Sequence, residues 1–380
     1  MPIKPDAPPG SAPQIGAAMR AAGVPLGEYI AHQVKNLCDV LEIDENGPLE
    51  TIDMLLGPAY FRPISEPPLW PSDVADDETP VELSFTLDDD AGPRMRILGE
   101  PLATNPGPTS NLHAALQLLG ALSERYAPSL NRFDAVSDLF LPGEPQGKFS
   151  LWFSFIFAPD SREPTLKIYF NPNARGASQA HRLVAEALER LGFPGAFDCV
   201  SEYGLTRGNL DRLPFFSLDL EPGPRARVKV YIMHDDAQAL DAQRAAEAVE
   251  GIDSEHIRRF CESLAGDVST FSNRPLTTAY DFVEGDGARP SFHTLHLPIR
   301  DYVANDSIAR QRLLQLLRDR GEDSTLAARA IESVSTRPLD AGPGLISYIS
   351  LRSGPQQSGT TIYLSSEAYS YKPALAEFAR

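Results

Sequence analysis

Two short stretches of the chain carry residues that could do chemistry together. Arg227-Val228-Lys229-Val230-Tyr231 and its partial echo Leu166-Lys167-Ile168-Tyr169-Phe170 alternate apolar residues with long cationic or phenolic ones. In a β-strand a period of two places every Arg, Lys and Tyr on one face and leaves the other face apolar. A half-buried strand of an ordinary sandwich also has a polar and an apolar face. Here, however, the polar residues are Lys-x-Tyr twice, once preceded by Arg, in place of the mixed Glu, Thr and Ser of a solvated surface. Such a face attracts an anion and holds aromatic rings beside it: Arg offers a planar fork to phosphate oxygens and Lys a point charge, while ring faces stabilise a cation.

The elements that must position these residues follow from residue 80 onward. Strands are expected at 81–87 and 94–100, then a helix at 110–126. The pattern recurs with strands at 149–157 and 165–171 and a helix at 178–191, whose Ala180, Leu183, Val184, Ala187, Leu188 and Leu191 form one apolar stripe. It recurs again with strands at 214–220 and 227–234 and helices near 239–249 and 254–265, and then with strands at 276–283 and 293–300 and helices at 307–319 and 325–334. The last round has strands at 345–352 and 360–365 and a short helix at 372–379. Five hairpins, each followed by helix, predict an α+β fold: a ten-stranded antiparallel barrel built from five ββα-type repeats and ringed by helices. Ahead of it stand a Pro/Gly-rich start, residues 1–13, read as flexible, a helical stretch at 14–43 and a short helix at 50–56, so that 14–380 reads as a single domain. The connector PISEPPLWPSDVADDETP is expected to be a solvated loop, with Asp76, Asp77 and Glu78 in water.

Closing such a barrel turns the charged face into a lumen. Alternation assigns to it Glu82, Ser84, Arg94, Arg96, Trp152, Ser154, Lys167, Tyr169, Arg227, Lys229, Tyr231, Thr294, His296, Tyr348, Ser350, Arg352 and Tyr363, a set with six cations and one acid. That excess is costly unless solvated or matched by an anionic ligand. A diphosphate with an allylic group suits it: Arg and Lys hold the leaving group and Tyr screens the allyl cation.

Composition narrows the alternatives. With 380 residues, a formal charge of −18 and a pI near 4.8, the chain lacks the basic surface that sequence-independent binding to nucleic acid or anionic lipid requires. Cys38, Cys199 and Cys261 are far apart and show no CxxC spacing, so neither a disulfide framework nor a zinc site is suggested. The start lacks the apolar core of a secretory signal and no run approaches the ~20 apolar residues of a membrane span, so a cytoplasmic location is expected. Asp88-Asp89-Asp90 and Asp235-Asp236 fall at turns or strand ends and do not form the helical DDxxD with which Mg²⁺–diphosphate enzymes work. His293 and His296, three apart on a strand, face opposite ways. No metal or other cofactor is expected.

PVELSF, MRILGEP, LKIYFNP, RVKVYI and TTIYLSSEAY, in that order and at these strand positions, resemble the aromatic prenyltransferases of the ABBA fold, in particular the dimethylallyltryptophan synthase type and its bacterial branch. The resemblance spans about residues 14–375. It implies that Glu82 accepts a hydrogen bond from the indole N–H, and that Arg96, Lys167, Arg227, Lys229 and Arg352 bind diphosphate. It also implies that Tyr169, Tyr231, Tyr348 and Tyr363 shield the allyl cation. Two departures stand out. The third strand, FSLWFSFIF, offers no lysine, and Thr294-x-His296 replaces a Gln-x-Tyr. His296 is carried with the diphosphate set but stays open between phosphate ligand, base and packed ring. The activity implied is transfer of a dimethylallyl group from dimethylallyl diphosphate to an indole carbon of tryptophan or a related indole, by a metal-independent monomer or homodimer. Its rivals are another aromatic acceptor (a tyrosine, a phenol or a cyclic dipeptide) and a barrel that only carries a ligand.

Overall fold

A computed structural model describes residues 15–87, 92–355 and 357–369. The barrel strands are β1 (Val81–Leu87), β2 (Arg94–Gly99), β3 (Leu151–Phe157), β4 (Thr165–Phe170), β6 (Phe216–Asp219), β7 (Val228–His234), β8 (Leu276–Phe282), β9 (Phe292–Leu297), β10 (Ile346–Ser353) and β11 (Ser358–Ser365). A two-residue strand, β5 (Asp211–Arg212), only extends the edge of β7. Each barrel strand pairs antiparallel with its neighbour in sequence, and β1 pairs with β11 to close the ring. Closure leaves no barrel edge unpaired, so alternate residues are committed to inside or outside all the way round.

The outer face is the main core. Val81, Leu83 and Phe85 of β1 and Met95 and Ile97 of β2 are fully buried under the helices. Each such large side chain contributes about 1.5–3 kcal/mol by leaving water. The helices covering the barrel come from a leading group, α1 (Ile15–Ala21), α2 (Leu26–Leu41) and α3 (Asn46–Leu56), and from pairs after the hairpins. The pairs are α4 (Pro108–Tyr126) with α5 (Asn131–Phe140), α6 (Ala180–Arg190) with α7 (Ala196–Gly204), α8 (Ala239–Ala246) with α9 (Ser254–Ala265), and α10 (Asp306–Arg320) with α11 (Ser324–Val334). The helix expected at 372–379 and the run Asp88-Asp89-Asp90 lie outside the described residues.

Several boundaries differ from expectation for local reasons. The helical stretch at 14–43 is broken between α1 and α2, where Gly23 takes a φ of 64° and Pro25, which has no N–H, precedes the new helix. The strand expected to run to residue 300 stops at Leu297, because Pro298 leads into a 3-10 turn, Ile299–Tyr302. Two helices, α5 and α7, were not anticipated; both are short and start without a side-chain cap, so they leave little sequence signature. The connector at 63–80 is only in part a solvated loop: Glu78 is exposed, as expected, but its two neighbouring acids are not. Asp76 pairs with Arg274 and Arg300, and Asp77 is buried, accepting from Thr79 at 2.6 Å, so this segment is tied across one end of the barrel.

Candidate active site

Cross-strand pairing builds the site in layers. At one end, Lys167 on β4 stands opposite Asp219 on β6, and Lys229 on β7 opposite Asp281 on β8. Opposite charges at facing positions on one side of a sheet attract directly. Arg227 precedes Lys229 on the same face and donates from Nε to Asp219 at 2.6 Å, while Arg352 on β10 reaches Asp281 from Nε at 3.2 Å. Lys229 Nζ lies 2.9 Å from Asp281 and donates to Thr294 at 3.1 Å. The expectation that Glu82 is the lumen's one acid is therefore corrected: Asp219 and Asp281 stand on the inner face among the cations. Burial opposes ionisation of Asp281, but Lys229, Arg227 and Arg352 outweigh it and hold the carboxyl well below its usual range. Burial brings Lys229 down to about 8, with Asp281 working to hold its charge. Lys167 is likewise pulled well down by burial, with Asp219 opposing.

Arg227 and Arg352 open onto a cavity of about 750 Å³, lined also by Thr86, Arg94, Arg96, Asp219 and Thr361 among others, with Lys167 and Lys229 buried behind it. Arg94 sits exposed at its rim, whereas Arg96 is deeper, facing Ser84 across the strand pair. The guanidinium of Arg96 lies 3.5 Å from the Tyr363 hydroxyl.

Beyond the cations comes a belt of rings. Tyr169 and Tyr231 are 5.9 Å apart, Tyr231 and His296 5.9 Å, His296 and Tyr363 5.7 Å, and Tyr363 and Tyr348 6.3 Å between centroids. Lys167 and Lys229 lie 5.3 and 5.5 Å from the Tyr169 and Tyr231 ring centres. All four anticipated tyrosines thus converge. Tyr348 joins them by the alternation it shares with Ser350 and Arg352, and stands opposite Tyr363.

On the far side of the belt is a cavity of about 310 Å³ lined by Glu82, Leu98, Trp152, Phe215, Arg274, Tyr348 and His296, among others. Trp152 stacks on Phe149 with centroids 4.0 Å apart and lies 5.4 Å from Phe215, giving this end flat apolar walls. Glu82 is 7% exposed and accepts from the Ser347 hydroxyl at 2.9 Å; the bulge of β10 between Ile346 and Tyr348 supplies this serine. Burial raises the Glu82 carboxyl to about 8, with the Ser347 hydrogen bond pulling the other way. His296 is pushed well down by burial first and by Lys229 and Arg96 beyond that, so its ring is neutral, and its Nε2 has no hydrogen-bond partner among the described residues. His293 faces outward against Tyr280. No group of three or more His, Cys, Asp or Glu side chains among the described residues is placed to hold a metal ion, and no described helix is long and apolar enough to cross a membrane.

Sequence reading overlooked Asp219, Asp281, Ser347, Phe215, Asp76 and Arg274. Asp219 and Asp281 had a signal: they continue the inward parity of Ser217 and of Thr277 and Ala279. Ser347 had none, because a bulge breaks parity. Asp76 and Arg274 lie outside the strands, where alternation says nothing.

An antiparallel ten-stranded barrel with cations at one end of its lumen, a ring of tyrosines, and a buried carboxylate over a flat-walled cavity defines an aromatic prenyltransferase barrel. Residues 50–332 match the family described as tryptophan dimethylallyltransferase. A 6-dimethylallyl tryptophan synthase structure shares 42% identity with a TM-score of 0.88, covering 93% of this chain and 100% of its own. The 6-dimethylallyltryptophan synthase from Micromonospora olivasterospora, in complex with DMASPP and Trp, also shares 42% identity, with a TM-score of 0.89 and coverage of 92% and 100%. The 5-dimethylallyl tryptophan synthase from Streptomyces coelicolor, again with DMASPP and Trp, is 33% identical with a TM-score of 0.84 and coverage of 93% and 98%. The chain belongs to the tryptophan dimethylallyltransferase family and is an indole prenyltransferase of its bacterial type.

Proposed function

We propose that the enzyme transfers the dimethylallyl group of dimethylallyl diphosphate to carbon 6 of tryptophan's indole ring without a metal ion. The observation that carries this reading is the order of layers: cations, tyrosines, then Glu82 over a flat cavity. Position 6 is supported by the 42% identity to the two 6-dimethylallyltryptophan synthases against 33% to the 5-synthase.

In the reaction so read, Arg96, Lys167, Arg227, Lys229 and Arg352 hold the diphosphate. The C1–O bond breaks with its electron pair passing to the leaving oxygen, whose new charge these preorganised cations stabilise. Tyr169, Tyr231, Tyr348 and Tyr363 face the allyl cation, each contributing ~0.5–2 kcal/mol. Glu82 accepts from the indole N–H and enriches the ring as the new C–C bond forms. The ring proton then leaves to restore aromaticity. His296 is the base we assign: it lines the acceptor cavity, is neutral, and has an unpartnered Nε2 among the described residues. That placement supports a base over the phosphate ligand its strand position also allowed.

The test is incubation with dimethylallyl diphosphate and tryptophan, following diphosphate release and assigning the product by NMR. Prenylation at carbon 6 that survives excess EDTA is expected. Diphosphate release without prenylated indole, or activity abolished by EDTA and restored by Mg²⁺, overturns the reading.

A further inference from the structure

Asp281 is the most deeply buried charge in the lumen, at 0% exposure, yet it has no place in holding an anionic substrate. It contacts three of the cations assigned to the diphosphate: Lys229 at 2.9 Å, Arg352 at 3.2 Å and Arg227 at 3.8 Å. Asp219 does the same for Arg227, at 2.6 Å, and Lys167, at 3.7 Å. Phosphate oxygens reaching these side chains must compete with the two carboxylates for the same N–H donors.

Counting charges shows what the competition does. Among the buried and half-buried side chains, Arg96, Lys167, Arg227, Lys229 and Arg352 bring five positive charges when an anion sits among them, and Asp219 and Asp281 remove two, leaving a surplus of three; Arg94, Arg225 and Glu221 also line the cavity but are exposed and screened by solvent. A fully ionised allylic diphosphate ester carries three negative charges. When its C–O bond breaks, the departing oxygen keeps the electron pair and the leaving group acquires a fourth. The lumen is therefore balanced for the substrate and one charge short for the product.

We propose that Asp281 is a positioning residue that sets this balance: by holding Lys229, Arg227 and Arg352 against the diphosphate, it keeps the site matched to the ester and lets inorganic diphosphate leave. This rests on the reading of the site as a diphosphate site given above. The same contact keeps Lys229 protonated in the empty barrel, against the pull of burial.

The test uses the full-length protein and inorganic diphosphate as the probe. By calorimetry at about pH 6.5, Asp281→Asn binds inorganic diphosphate at least about tenfold more tightly than the wild type, as expected for removing one opposing charge at close range. With both substrates, the variant gives a burst of prenylated product followed by a slower steady state, because release now limits turnover. The alkaline limb of kcat/KM for dimethylallyl diphosphate moves to lower pH as Lys229 loses its partner, a change that a packing role would not produce. Adding Arg352→Gln restores the surplus of three and returns diphosphate affinity to within about threefold of the wild type. Unchanged or weaker binding by a folded Asp281→Asn variant overturns the proposal. Should that variant not fold, the double variant carries the test, and a loss of affinity of more than about tenfold in it overturns the charge balance. Wild-type prenylation of tryptophan tests the functional reading separately, since calorimetry with diphosphate needs no acceptor.

Discussion

Replacing Glu82 by Gln separates the acceptor half of the site from the diphosphate half. The carboxyl is buried, bonded to Ser347 at 2.9 Å, and raised from 4.5 to about 8, chiefly by burial. Ionising it in the empty barrel therefore costs on the order of 5 kcal/mol more than in water, a burden the fold carries for the reaction. Gln keeps the size and the bond from Ser347 but turns an amide N–H₂ where the indole N–H must donate, so kcat should fall by ~10²-fold or more. Affinity for dimethylallyl diphosphate, held by other strands, should stay within about twofold, because sites without shared partners act independently. The pH dependence gives a second reading. In the wild type kcat/KM for tryptophan should rise with pH toward about 8 as Glu82 ionises; the variant should lack that limb. Stability shows the opposite sign. Between pH 4.5 and about 8 the folded protein keeps a proton that the unfolded chain has lost, so wild-type stability falls across that window relative to Glu82→Gln and runs parallel above it. The assays are steady-state prenylation, calorimetry with the diphosphate and thermal melts on one preparation of each protein. Near-normal prenylation of tryptophan by Glu82→Gln would refute the role given to this carboxylate, and a variant no more stable than the wild type at pH 9 would refute the account of its burial.

Three further perturbations address the remaining layers. Lys229→Ala should leave the fold intact, since Asp281 keeps Arg227 and Arg352, while raising KM for dimethylallyl diphosphate by roughly ten- to a hundredfold, the scale of ~1.5–3 kcal/mol for a charge-assisted contact; gross unfolding with unchanged affinity in the folded fraction would make it structural. Ser347→Ala removes the hydrogen bond that holds the Glu82 carboxyl down, so the acid limb of kcat/KM should move to higher pH with a modest loss of rate at neutral pH, and an unmoved limb would disconnect the two residues. For His296→Gln, tryptophan deuterated at the attacked carbon should react with a larger isotope effect than in the wild type, because proton loss becomes slow; an effect near unity in both would place the base elsewhere.

The barrel and its cationic face were legible because they depend on parity alone. Lys167, Tyr169, Arg227, Lys229 and Tyr231 must share a face in any strand, and once neighbouring strands pair in sequence order that face has only the lumen to line. What parity cannot give is who stands opposite whom. Asp219 and Asp281 had the right parity, but their meaning comes from facing Lys167 and Lys229 across strand pairs, a fact of register between segments many residues apart. Ser347 was harder still, since one extra residue in β10 turns it inward beside Tyr348, which alternation alone had already placed there. Asp76 and Arg274 lie outside any periodic element, and only the closed end of the barrel brings them to the acceptor cavity. The misreading of the lumen as almost purely basic follows from the same limit. Cations announce themselves by type along a strand, whereas the acids that temper them become visible only when the ring is closed. On the proposal made above, that tempered charge lets the site bind a diphosphate ester and still release the more highly charged product.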